Sequence, residues 1–364
     1  MKIALIHDWL TGMRGGEKVL EVLCGIFPEA DVFTLVHLPG KVSPVIERHR
    51  IITSPLQRIP GIGRYYRHLL PFMPWAIEKF NFKGYDALIS TSHCVAKGAE
   101  PPPGVNHWCY CHTPMRYIWD QYDSYFGPGR TSWPVQKAME LVRPRMQRWD
   151  VESSARVYQF FANSKNVQDR IEQIYHRSSS VIYPPVETEF FGMEPGPSPL
   201  NDPYYLIVSA FAPYKRLDIA VEAFTLNKKS LIIIGEGQEE AQLRAKAGPN
   251  IQFKGWLDAA GLRQHYALCR ALIFPGEEDF GIVPVEAMAA GRPVIAFSKG
   301  GALETVINGR TGIFFDEQTP DALLKSIEHF EEMSWDPADI KRHARNFDRQ
   351  QCEKAFREAF AEFL

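Results

Sequence analysis

Short runs of apolar residues, such as Ile3–Ile6 and Leu231–Ile234, alternate along this chain with longer stretches in which apolar positions recur every three to four residues. The first pattern predicts buried strands and the second amphipathic helices. Strands are expected at 2–6, 31–35, 86–91, 106–111, 158–162 and 180–183, with helices at 16–26, 134–155 and 165–175. After Tyr183 the pattern breaks, and residues 184–203 carry prolines at 184, 185, 195, 197, 199 and 203, which reads as an interdomain linker. The alternation then restarts, with strands at 204–209, 230–234, 251–253, 271–274 and 293–297 and helices at 216–225, 238–247 and 259–268. A turn at Asn308-Gly309 and further helices complete the chain. Strand–helix alternation of this kind builds parallel sheets covered on both faces. The expected architecture is α/β: two doubly wound domains, 1–186 and 204–348, facing a cleft and joined by a linker at 187–203.

Composition agrees with this division. The 364 residues exceed what one core organises, and 45% apolar with 23% charged residues describes a soluble globular protein. No apolar run approaches the ~20 residues of a membrane span. The opening Lys2–Ile6 reads as a strand rather than a secretion signal, so the cytoplasm is the expected compartment. Six thinly spread cysteines are expected to be reduced. Cys109-Tyr-Cys111-His112 lacks a second Cys/His pair at zinc-finger spacing, and no metal site is expected.

Charge is unevenly placed. Up to Val186 there are 22 Lys and Arg against 16 Asp and Glu, and beyond it 19 against 27. Within 46–83, Arg48, Arg50, Arg58, Arg64, Arg67, Lys79 and Lys83 oppose only Glu47 and Glu78, interleaved with residues such as Leu56, Ile59, Tyr65, Phe72 and Trp75. Two readings fit this stretch: a surface that rests on anionic lipid headgroups, or an amphipathic helical excursion packed on its own domain. Nucleic acid is not an expected partner, because the whole chain is slightly acidic and shows no binding motif.

Candidate chemistry gathers at strand-to-helix turns, where open α/β sheets bind ligands. Glu278 and Glu286 stand eight positions apart in Pro275-Gly-Glu-Glu-Asp-Phe-Gly-Ile-Val-Pro-Val-Glu286, with Pro284 expected at the first turn of a helix that Gly291 closes. Amides from Phe280 to Val283 there can receive an anion. Lys215 and Arg216 follow another strand at a helix start, where paired cations call for an anion such as a diphosphate; the simpler reading pairs one of them with Asp218 or with another of the domain's many acids. Gly235-Glu-Gly237 is a further tight turn, and Trp256-Leu257 could border a base. Gly15-Gly16, after His7-Asp8 and Arg14, form a turn that is not the dinucleotide fingerprint. His112 ends a strand, where it is a structural residue or a donor to a sugar hydroxyl. There is no Asp-x-Asp pair and no nucleophile elbow.

Taken together, these motifs resemble retaining GT-B glycosyltransferases of family 4, among them bacterial mannosyltransferases of O-antigen and exopolysaccharide assembly. Glu278 and Glu286 occupy the ends of that family's E-x7-E motif. Cys111-His-Thr-Pro, Phe161-Ala-Asn-Ser164, Tyr183-Pro-Pro, Pro213-Tyr-Lys215-Arg and Gly300-Gly301-Ala-Leu-Glu304-Thr also match. The resemblance implies a GT-B fold with a C-terminal helix, about 349–364, crossing back to the first domain. It implies that Glu286 binds the nucleotide ribose, while Glu278 and the backbone of Asp279, Phe280, Gly281 and Ile282 hold the transferred sugar. Lys215 and Arg216 would neutralise the diphosphate, assisted by Gly15 and Gly16, and His112 would touch the donor sugar. Asp8, Arg14 and Ser164 fall on the acceptor side. Ala210 departs from the family, which often has Arg there, leaving Arg216 or Arg14 to supply that contact. The implied substrates are a nucleotide sugar, GDP-mannose first and UDP-glucose as the alternative, and a saccharide on a lipid diphosphate at the inner face of the cytoplasmic membrane, with no cofactor. A non-catalytic sugar-nucleotide-binding partner of an assembly complex is the reading from another class.

Overall fold

A computed structural model describes residues 1–127, 129–194 and 203–363. The chain divides into two units, Met1–Pro185 with Cys352–Leu364, and Val186–Gln351.

The first unit is built on strands β1 (Ile3–His7), β2 (Asp31–Thr34), β3 (Ile51–Thr53), β4 (Ala87–Ser92), β5 (Asn106–Cys111), β6 (Gln159–Ala162) and β7 (Ser179–Val181). They pair in parallel in the order β3-β2-β1-β4-β5-β6-β7. Both faces are covered, which is why the strands read as continuous apolar runs. On one face Ala4, Ile6, Phe33 and Leu88 pack with Leu70, Met73 and Ile77. On the other, Leu5, Val32 and Ile89 meet Val19 and Leu23 of the helix Gly15–Ile26. The C-terminal helix Arg349–Ala359 joins this second face: the Phe356 ring lies 5.4 Å from Tyr110, and Phe360 just beyond lies edge-on to Phe27 at 5.9 Å.

In the second unit β8 (Tyr205–Val208), β9 (Leu231–Ile234), β10 (Ile251–Phe253), β11 (Leu272–Phe274), β12 (Val294–Phe297) and β13 (Gly312–Phe315) form a parallel sheet ordered β10-β9-β8-β11-β12-β13. In each sheet the strand order reverses once, at β1/β4 and at β8/β11, and loops at the carboxyl ends there diverge to leave a crevice.

Two expectations are corrected, and the stretch 46–83 is seen in detail. Strands β3 and β13 were not foreseen: β3 is a short half-buried edge strand within an arginine-rich stretch, and β13 follows directly on the Asn308-Gly309 turn. Part of the expected linker is ordered in the second unit. Val186 bridges to Asp348, the helix Thr188–Gly192 follows, and Phe191 packs edge-on against Tyr266 at 5.5 Å. Apolar Phe190-Phe191 thus outweigh the flanking prolines, of which 195, 197 and 199 lie outside the described residues. Finally, 46–83 is a string of short helical turns plus β3, with its apolar residues divided. Leu56, Ile62, Tyr66, Leu70 and Met73 are buried, while Ile59, Tyr65, Phe72 and Trp75 are exposed. Among the described residues no helix is long and apolar enough to cross a membrane.

Candidate functional site

In the second unit the site grows from the two loops that flank the β8/β11 reversal. The loop after β8 makes a tight turn, Pro213–Lys215, and delivers Lys215; the loop after β11 delivers Glu278. Lys215 Nζ lies 2.5 Å from Glu278 Oε1, both side chains largely but not wholly buried. Gly276 makes this approach possible, since a β-carbon on it would stand 2.9 Å from the Lys215 Cα and 3.0 Å from two carbonyl oxygens. The Gly300-Gly301 turn clamps the same loop from behind. The Gly301 N–H donates to the Glu278 carbonyl at 2.8 Å, and a β-carbon on Gly301 would come within 2.3 Å of Phe280. Phe280 is buried edge-on to Phe347 at 5.6 Å, so Glu278 and Asp279 are held between two anchored points.

The helix that follows begins at Ile282, after Gly281 at φ 85°, so Pro284 sits third and Glu286 falls in the second turn rather than the first. Glu286 is 6% exposed and accepts the Tyr266 hydroxyl at 2.9 Å. Burial and then the Glu286 charge hold the Tyr266 phenol well above its ordinary range, so it stays a donor. Ile282 and Val283 are half-buried at the helix start.

Arg216 goes elsewhere. Its φ of 52° places it in the left-handed region, and its guanidinium spans both oxygens of Asp218 at 3.1 and 3.2 Å, with Gln318 at 3.4 Å. The simpler sequence reading is the observed one. Gly235 and Gly237 serve the backbone: β-carbons there would fall 1.9 Å from the Ser209 carbonyl and 2.6 Å from that of Phe211, so they allow the loops after β8 and β9 to touch. Trp256 stands exposed beside them, its N–H on Glu236 at 3.3 Å, with Leu257 half-buried.

The first unit contains a buried polar cluster at the β1/β4 reversal. Gly15 and Gly16 open the helix Gly15–Ile26, with Arg14 exposed before them and its N–H on Glu17 at 3.0 Å. The His112 ring, fixed by its backbone N–H to Ser92 at 2.8 Å, lies against Gly16: a β-carbon there would be 3.4 Å from Nε2. That Nε2 is buried without a hydrogen bond, aimed at the helix start. His93 lies 6.2 Å from His112 and 6.0 Å from His7, ring centre to ring centre. Burial, then the charges of His93 and His7, keep His112 well below the usual imidazole range; burial likewise lowers His93 despite Asp8. Burial works to raise the Glu17 pKa, but the nearby His7 and His93 outweigh it and the carboxyl ends lowered. A neutral imidazole can donate or accept toward a ligand hydroxyl. His7, His93 and Glu17 escaped sequence reasoning; Glu17, beside the glycine pair at a helix start, carried a signal, while His93 carried none.

Two residues expected on the acceptor side have structural duties. Asp8 is fully buried and accepts the N–H groups of His93, Cys94, Val95 and Ala96 at 2.6 to 3.0 Å, with His93 Nδ1 at 3.1 Å. Its oxygens organise the loop after β4. Ser164 caps the helix Lys165–Tyr175, accepting from Val167 at 3.0 Å.

Residues 193–347 match the family of glycosyl transferases group 1. Among curated relatives, the O-antigen chain mannosyltransferase C of Escherichia coli is 32% identical over 108 residues, which cover 28% of this chain and 29% of that protein. A GDP-mannose-dependent alpha-mannosyltransferase of Mycolicibacterium smegmatis is 34% identical over 120 residues, covering 33% and 32%. The chain thus spans about a third of the length of these two relatives. Among solved structures, Anabaena Alr3699/HepE in complex with UDP superposes with a TM-score of 0.71 over 100% of both chains at 19% identity. At that identity the likeness shows the fold, which is GT-B.

Proposed function

We propose that this chain, which carries a glycosyl transferases group 1 domain in its second unit, is a retaining glycosyltransferase that moves a hexose from a nucleotide sugar to a saccharide acceptor. The observation that carries this reading is the Lys215–Glu278 pair, 2.5 Å apart at the reversal of a doubly wound sheet. An incoming diphosphate competes for the ammonium and frees the carboxylate for sugar hydroxyls. On the second unit Lys215 therefore takes the leaving group, Glu278 and the Asp279–Ile282 backbone take the sugar, and Glu286, oriented by Tyr266, takes the ribose. Arg216 joins only after leaving Asp218. On the first unit His112 and the amides of Gly15 and Gly16 supply the polar contacts, with Arg14 beside them.

Mannose from GDP-mannose is the proposed donor, supported by the mannosyltransferase relatives. The proposed acceptor is a saccharide on a lipid diphosphate; exposed Tyr65, Phe72 and Trp75 beside Arg64 and Arg67 suit a membrane surface where such a carrier resides. Departure of the diphosphate from the face that the acceptor hydroxyl attacks retains the anomeric configuration without a protein nucleophile. Catalysis then rests on charge stabilisation of the leaving group, each such contact contributing ~3 to 4 kcal/mol. The chemistry is proposed to need no metal.

The test is incubation of the purified protein with GDP-mannose and, separately, UDP-glucose, reading free nucleotide and melting temperature. Slow release of GDP with a raised melting temperature is expected. Release of UDP alone reassigns the donor. A thermal shift without release would leave a sugar-nucleotide-binding partner in place of an enzyme, and neither release nor shift with either donor would overturn the reading.

A further inference from the structure

We infer that a cavity beside the edge of the first sheet, about 570 Å³ and lined by Lys2, Arg50, Arg58, Lys79 and Lys83, binds a phosphate group. This inference is independent of the transferase reading. Lys2 and Arg50 stand just before the amino ends of β1 and β3, whereas His7 ends β1 at its carboxyl end. The aromatic wall is Phe33, Phe80 and Tyr85, with Phe33 and Phe80 edge-on at 5.2 Å.

Its cations are poorly matched by the protein. Asp31 is shared: its Oδ2 accepts the Tyr85 hydroxyl at 2.5 Å and lies 3.8 Å from Lys2 Nζ and 3.9 Å from Arg50. Asp86 receives the backbone N–H of Lys2 at 2.6 Å. Arg58, Lys79 and Lys83 have no carboxylate partner among the described residues. Five cations thus line the cavity with no carboxylate among its lining residues, and Asp31, which two of them approach, is also bonded to Tyr85. Gathering like charges around a concave, aromatic-walled surface raises the local potential and selects a multiply charged anion. A carboxylate would leave most of the excess standing, whereas a phosphate monoester or diphosphate, at about two charges or more, matches it. That chemistry has two sources, a free phosphorylated molecule or a lipid headgroup.

The experiment uses the full chain in a Lys215→Ala background, so that phosphate held by the second unit does not contribute. Calorimetric titration with inorganic pyrophosphate at low salt, and sedimentation with phosphatidylcholine vesicles with and without phosphatidylglycerol, are compared across two triple variants. Arg58→Ala/Lys79→Ala/Lys83→Ala removes the unpartnered cations of the cavity. Arg48→Ala/Arg145→Ala/Arg148→Ala removes exposed cations of the first unit that neither line the cavity nor belong to the proposed membrane-facing surface. Pyrophosphate binding lowered at least tenfold by the first triple and kept by the second supports a site for free phosphate. Binding only to phosphatidylglycerol vesicles, with the same selectivity between variants, supports a headgroup. No binding to either probe, or equal loss in both triples, overturns the inference. All six side chains are exposed or half-exposed, and an unchanged melting temperature confirms that the variants fold.

Discussion

Lys215 reaches across the strand-order reversal of the second sheet to place its ammonium 2.5 Å from Glu278 Oε1. Lys215 ends the single 3-10 turn Pro213–Lys215 and Glu278 stands on a loop, and Gly276 permits the close approach of their two backbones. Lys215→Ala and Glu278→Ala are each expected to lower turnover at least a hundredfold, the scale of ~3 kcal/mol of barrier. Circular dichroism should show both variants folded. Near wild-type nucleotide release from either would remove that residue from the proposed chemistry.

Gly301→Ala tests whether the loop must be clamped. The added methyl would stand 2.3 Å from the Phe280 Cα and 2.4 Å from its carbonyl oxygen, so the backbone must shift. An overpacked site costs about 1 to 3 kcal/mol. The expected result is a modest loss of melting temperature with a disproportionate loss of turnover, measured on the same preparation. Loss of stability with intact turnover would show that Glu278 does not depend on this clamp.

Acidification should destabilise the first unit. Burial holds His112 and His93 below their ordinary range and pushes His107 down to about 3. These rings are neutral in the fold, but in the unfolded chain they protonate below pH ~6.5. The unfolded state therefore binds more protons as pH falls through that value, and stability drops by about 1.4 kcal/mol per pH unit for each ring kept neutral. The lowered Glu17 acts in the same direction in a lower window: its contribution is present above the ordinary carboxyl pKa and lost as pH falls through the folded value. Melting temperature measured from pH 7.5 to 5 should fall below about 6.5, and His107→Gln should flatten the profile. A flat wild-type profile would contradict this account.

Phe356→Ala tests the returning helix. The ring is fully buried beside Tyr110, within one core cluster with Phe360 and Val19. Truncating a buried phenylalanine costs about 3 to 5 kcal/mol. Denaturant unfolding followed through Trp108, which packs on Phe360 and Phe363, reports the loss directly.

Much of the fold was legible because a parallel sheet writes its strands as uninterrupted apolar runs, and the loops bearing Glu278 and Lys215 follow two such runs. Strand β3 was hidden because its three residues are only half-buried and sit among arginines. The structural duty of Asp8 was hidden because its partners, His93 to Ala96, are 85 to 88 positions away and the demand of four backbone N–H groups leaves no local trace. Ser164 stands directly before a helix, which is a cap signal in plain view. The duties of Gly235, Gly237 and Gly276 are steric and depend on which distant backbone they face, so sequence marks the glycines without saying what approaches them.

The final helix also sets the order in which the molecule can be completed during synthesis. Residues 186–351 form one continuous stretch, able to close its core as soon as it has emerged. The first unit, begun earlier, still lacks Cys352, Phe356 and Phe360 until those residues have emerged in turn. One face of its sheet stays open throughout that interval, so the half made first is the half finished last.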